Sequence, residues 1–182
     1  MIIHSVALAS FIVLLSCGGT DSSGTSSNDP VISDDNASID SGDAGAKLDT
    51  NTELQTGFQG LVLANVFIVY ENDKRVHGSE VALGTKFSIV FEGVKKYTLK
   101  NGKAFPGLSL QVSGLEQPMI ISEDDLLASY MEGLTEEEAS TLRATVTVGE
   151  PMKPGEYLCA VHVVDKNNSD AYILSTWNFQ VK

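Results

Sequence analysis

The chain has 182 residues, and its 12 Lys and Arg stand against 24 Asp and Glu, a net charge of −12. That balance repels nucleic acid and anionic lipid surfaces, which excludes DNA or RNA binding as its function. The length suits one domain with appendages, and two cysteines, Cys17 and Cys159, are all the sulfur available for a disulfide.

The chain opens on an uncharged apolar run, Ser5 to Ser16, too short to cross a bilayer as a helix but of the right length for a signal-peptide core. It ends Leu14-Leu15-Ser16-Cys17. An aliphatic residue at −3, a small residue at −1 and then cysteine resembles the lipobox of bacterial lipoproteins. The region before it departs from that pattern by carrying only His4 and no Lys or Arg. The resemblance implies cleavage after Ser16 and lipid on the Cys17 sulfur, with residues 1–16 as signal peptide. Gly18 rather than Asp follows the cysteine, which by the same resemblance favours the outer membrane. With Cys17 acylated, Cys159 has no partner and is expected to be buried as a small hydrophobe.

Residues 17–53 read as the lipidated cysteine and a flexible acidic linker. From Gly18 to Glu53 there are eight acids and one base, among Gly, Ser, Thr and Asn with no helical or strand period. Such a composition buries too little apolar surface to offset its ordering entropy.

Residues 54–182 read as the folded domain. Leu61–Tyr70 is apolar on both faces and stops at Glu71-Asn72-Asp73. Thr85–Phe91 places Phe87, Ile89 and Phe91 on one face. Asn101-Gly102 signals a two-residue hairpin turn. Gly107–Val112 points Leu108, Leu110 and Val112 inward, and Met119–Ile121 can supply a short edge strand. Ser122 is a candidate N-cap for a helix over Glu123-Asp124-Asp125-Leu126, stopped by Gly133. Thr135 then answers Glu138 in a capping box. Arg143–Val148, Glu156–Val164 and Ala171–Val181 alternate again, with Tyr157, Cys159, Val161 and Val163 on one face of the second. Ile173, Trp177, Phe179 and Val181 share one face of the third.

About seven short strands with turns between them predict a mostly β chain folded as an antiparallel sandwich, with a short helical insertion between the fourth and fifth strands. Pro154-Gly155-Glu156-Tyr157-Leu158-Cys159, a strand with Tyr two before Cys, is followed by a turn and a last strand ending Phe179-Gln180-Val181. This resembles the F and G strands of immunoglobulin-like and fibronectin-III-like domains, and implies that the Tyr157 hydroxyl reaches a nearby backbone group in a tyrosine corner. A second core cysteine and a tryptophan on the third strand, both found in antibody domains, are missing.

Signatures of chemistry are weak. Glu123-Asp124-Asp125 and Glu136-Glu137-Glu138 read as helix N-terminal charge, with Ca²⁺ as the competing account. Asp165–Asp170 reads as a polar hairpin; as a Ca²⁺ loop it lacks the glycine at its sixth position. His77 and His162 have no metal-ligand spacing, and His162 alternates with Leu158, Ala160 and Val164 on a sheet face. Lys95, Lys96, Lys100 and Lys103 surround the Asn101-Gly102 turn beside Tyr97, a candidate contact for an anionic glycan or headgroup; a solvated hairpin is the bland account. Trp177 reads as core rather than as a sugar-stacking ring.

The expectation is therefore a lipid-anchored envelope protein, not an enzyme, without metal or cofactor, whose sandwich serves as a binding or structural module for a protein or glycan. The alternative is a ligand-binding lipoprotein of a transport or glycan-uptake system.

Overall fold

Two antiparallel sheets account for the alternating segments. The computed structural model describes residues 44–114 and 119–182; Cys17 and the linker up to residue 43 lie outside the described residues. In chain order the elements are β1 (Ala44–Asp49), β2 (Leu54–Gln59), β3 (Asn65–Tyr70), β4 (Glu80–Val81), β5 (Lys86–Glu92), β6 (Pro106–Gly114), β7 (Ile121–Glu123), α1 (Glu136–Ala139), β8 (Thr141–Thr147), β9 (Gly155–Asp165) and β10 (Asn168–Val181). The larger sheet runs β1-β2-β10-β9-β6-β7, with β4 lying parallel to the end of β10; the smaller runs β3-β5-β8.

The domain is an immunoglobulin-like antiparallel β-sandwich. Its seven-strand body sets β3, β5 and β8 against β10, β9, β6 and β7, and the β1-β2 hairpin and short β4 are additions on the β10 side. The inward positions meet in one core that includes Phe87, Ile89, Leu108, Leu110, Cys159, Val161, Ile173 and Trp177. The tyrosine corner is present: the Tyr157 hydroxyl donates to the Lys153 carbonyl at 2.6 Å and accepts from the Lys153 N–H at 2.9 Å. Trp177 stacks on Phe179 and meets Phe87 edge-on. The Cys159 thiol is buried, which pushes its pKa up to about 12 and leaves it inert.

Local chemistry explains the turns. Asn101 and Gly102 both have positive φ, 54° and 72°, which suits the primed hairpin turn closed between Lys100 and Lys103. The Thr135 hydroxyl caps the Glu138 N–H while the Glu138 carboxylate takes the Thr135 N–H, so α1 carries the full capping box.

The structure differs from the sequence reading in several places, and β2 and β4 are strands that the reading did not propose. Residues 44–49, placed in the linker, form β1. Its backbone pairs with β2 over the full register from Ala44–Gln59 to Asp49–Leu54, and cross-strand hydrogen bonds do not need the apolar alternation that was missing. The turn between these strands is organised by Asp49, whose side chain accepts from Asn51 and Thr52. Leu61–Ala64 is not strand. Leu61 and Leu63 are buried, so a core-facing loop produced the apolar run. The edge strand sits two residues later than Met119–Ile121. Finally, Glu123–Gly133 is not a helix. Ser122 pairs with Gln111 in the sheet, and Asp125 organises the segment by accepting from the N–H groups of Leu108 and Leu127. Lys166 pairs with its other oxygen at 2.7 Å.

The smaller sheet is closed on its outer side. Phe67, Val69 and Val90 form a second small cluster there, and the Arg75 guanidinium lies over the Phe67 ring. Ion pairs Lys86–Glu71 and Arg143–Asp73 tie the 71–75 turn across that face.

Candidate functional site

The lysine patch is not a free basic surface. Lys95, Lys96 and Lys100 are exposed, but Lys103 lies near Glu138, whose carboxyl is held below its usual range by the Thr135 N–H and hydroxyl and, more weakly, by Lys103. An anion approaching this turn therefore meets acids as well as lysines. Tyr97 requires a correction. It is buried, its hydroxyl donates to the Ala139 carbonyl at 3.3 Å, and burial together with the nearby Asp165 charge raises its pKa. The ring turns inward into the core beside the end of α1, so it is not available as a partner contact.

The Asp165 loop is structural too. Asp165 is 1% exposed, and its carboxylate accepts from the N–H groups of Thr98 at 2.6 Å and Asn167 at 3.0 Å. The Asn167 side chain returns a bond to the Thr98 carbonyl. The loop thus clasps the β9-β10 hairpin to the segment before β6, and both Asp165 oxygens are occupied. Asp165→Asn sets an NH₂ group against one of two buried donors. It should reduce stability by about 1–3 kcal/mol, read as a lower midpoint of urea unfolding at unchanged slope.

The outer face of the larger sheet differs from the rest of the surface. Strand alternation and register place Ala44, Ala46 and Leu48 of β1 beside Gln55, Gly57 and Gln59 of β2. Next come Tyr172, Leu174, Thr176 and Asn178 of β10, then Leu158, Ala160, His162 and Val164 of β9. Gly107, Ser109, Gln111 and Ser113 of β6 complete the row. No Asp, Glu, Lys or Arg interrupts it, although the chain carries a net −12. Charge returns at the rim, in Glu156 and in the Asp125–Lys166 pair.

This face has relief. A groove of about 820 Å³ runs over β1, β2 and β10, lined by Leu48, Gln55, Gln59, Tyr172 and Leu174, with Lys47 as its one charged lining residue. A second hollow of about 300 Å³ lies over β6 and β9, between His162 and the Asp124-Asp125 segment. The His162 and Tyr172 rings meet edge to face at 5.8 Å and form the ridge between the two. Partial burial lowers the His162 pKa, so the ridge is neutral at pH 7. Leu174, opposite His162, is 43% exposed. Such a surface offers amide and hydroxyl hydrogen bonds, an aromatic ring and short apolar steps, all without net charge.

His162 was legible as a sheet-face residue from its alternation. Tyr172 was not singled out. The usable signal was joint: from Leu158 to Val164 and from Tyr172 to Asn178 the outward positions of the last two strands carry no charge, in an acidic chain.

No protein-family model matches the chain, and no curated protein sequence matches it. Among solved structures, a Niemann-Pick type C2 protein from Japanese carpenter ant is similar at a TM-score of 0.46 and 6% identity, covering 69% of this chain and 96% of that one. The soluble domain of PmoD from Methylocystis sp. ATCC 49242 (Rockwell) is similar at 0.35 and 8% identity, covering 75% and 96% respectively. Neither likeness transfers a ligand or an activity to this chain.

Proposed function

We propose that this protein is a lipid-anchored, non-catalytic binding module of a bacterial cell envelope. Lipid on Cys17 holds it to the membrane, by the lipobox in the outer membrane, and the segment from Gly18 to residue 43 is the tether. The outer face of the larger sheet takes the partner. The observation that carries this reading is a grooved sheet face whose outward strand positions carry no charge, with Lys47 alone at the groove wall, in a chain of net −12. An acidic protein keeps most of its surface soluble and repulsive through charge, and a contiguous charge-free face marks where contact is tolerated.

Photo-crosslinking in intact cells tests the location. The full chain with Leu174→p-benzoylphenylalanine should give ultraviolet-dependent adducts, while Thr147→p-benzoylphenylalanine, on the smaller sheet, should give none. Adducts at 147 without adducts at 174, or none at either position, would overturn the proposed face.

A further inference from the structure

Resting on that assignment of the face, we infer that its occupant is a neutral oligosaccharide chain, laid across the strands and stacked on Tyr172. A neutral glycan presents hydroxyl groups that both donate and accept, and C–H faces that sit on aromatic rings. The groove offers the counterpart: the Gln55 and Gln59 amides and the Thr176 hydroxyl line the same hollow as the Tyr172 ring. Beyond the ridge, Ser109 and His162 add a hydroxyl and a neutral imidazole in register with each other.

Other occupants fit less well. An anionic polymer finds one lysine at the groove, Lys47, and beyond the ridge it meets Asp124 and a lysine already paired, Lys166 with Asp125, in a chain of net −12. A lipid surface needs a continuous apolar patch, whereas here amides and hydroxyls alternate with Ala and Leu. A second copy of the chain needs area. Five strands at about 4.8 Å spacing, with about 20 Å of uncharged row along each, give under about 500 Å², and a stable interface takes about 800 Å² from each partner. An extended sugar chain needs no such area, because the two hollows follow one after the other across the strands.

Native affinity electrophoresis tests the inference, with the full chain in non-ionic detergent and gels containing dextran, mannan, xylan, a β-1,3-glucan or, separately, anionic alginate. At least one neutral polysaccharide should retard the wild type. Tyr172→Ala and Gln59→Ala should each weaken that retardation, the first by about tenfold, with unfolding midpoints near wild type. Lys100→Ala should be retarded as much as wild type, each measured against its own migration in a gel without polysaccharide. Retardation by alginate alone, or its loss in Lys100→Ala, would overturn the inference and return the role to the lysine turn. No retardation by any neutral polysaccharide, while the adducts at position 174 persist, would overturn the glycan but keep the face. A concentration-dependent dimer in sedimentation that Leu174→Asp dissolves would assign the face to a second copy.

Discussion

Trp177→Ala should lower the unfolding free energy by about 3–5 kcal/mol, a large share of the roughly 5–15 kcal/mol that a domain of this kind has. Trp177 is 1% exposed. Its ring stacks on Phe179 at 4.9 Å and meets Phe87 edge-on at 5.1 Å, and its Nε1–H donates to the Thr52 carbonyl at 2.8 Å. Alanine therefore opens a cavity between the sheets and removes the bond that ties the β1-β2 turn to the core. Trp177→Phe separates the two losses. It keeps a six-membered ring between the sheets but loses the donor and the pyrrole part of the indole, so it should cost less than alanine, about 1–3 kcal/mol. Equilibrium urea unfolding measures both variants. As the chain's one tryptophan, Trp177 also reports its own burial. Wild-type emission should be blue-shifted and resistant to iodide, and a red-shifted, readily quenched emission would remove it from the core.

Cys17→Ser should move the protein from the membrane pellet to the soluble fraction. Each buried methylene of an acyl chain contributes about 0.8 kcal/mol, and two chains suffice for stable anchoring. Serine offers no thiol for the lipid, so the whole contribution disappears in one step. Detergent phase partition of the full chain provides the measurement, with wild type in the detergent phase and the variant in the aqueous phase. Wild-type partition by the serine variant would remove the anchor from the proposed function. The folded domain's own behaviour should not change, since its described strands begin at Ala44.

The strands of the sandwich body were legible because one face of each is buried and alternation records it. β9 and β10 follow their inward sets, Tyr157-Cys159-Val161-Val163 and Ile173-Trp177-Phe179-Val181, throughout. β1 was not legible, because it is an edge strand whose pairing is mostly a matter of backbone. Its Ala, Gly and Lys look the same in a linker. The acidic run at Glu123-Asp124-Asp125 suggested a helix through its charge, but charge does not form a helix where Asp125 can hold the N–H groups of two separate segments. The candidate site was only partly readable. Lysines are conspicuous in an acidic sequence, whereas a face defined by missing charge appears only once register sets five strands side by side.

The place where the chain enters the domain has a mechanical consequence. Ala44 is the outermost pair of the β1-β2 ladder, and Asp49–Leu54 is the innermost. If the segment before Ala44 is the proposed tether, a pull on it would load these pairs one after another, like a zip opened from its end, rather than all at once. The strand would peel until the load reached Thr52, where the bond from Trp177 couples the turn to the core. About 20 Å of chain would be paid out. β1 is also one wall of the groove, through Ala46 and Leu48. Tension between the membrane and a captured polymer would therefore strip away part of the surface that holds the polymer. Grip would weaken as drag increased, giving a tether that releases its cargo before the sandwich itself comes apart.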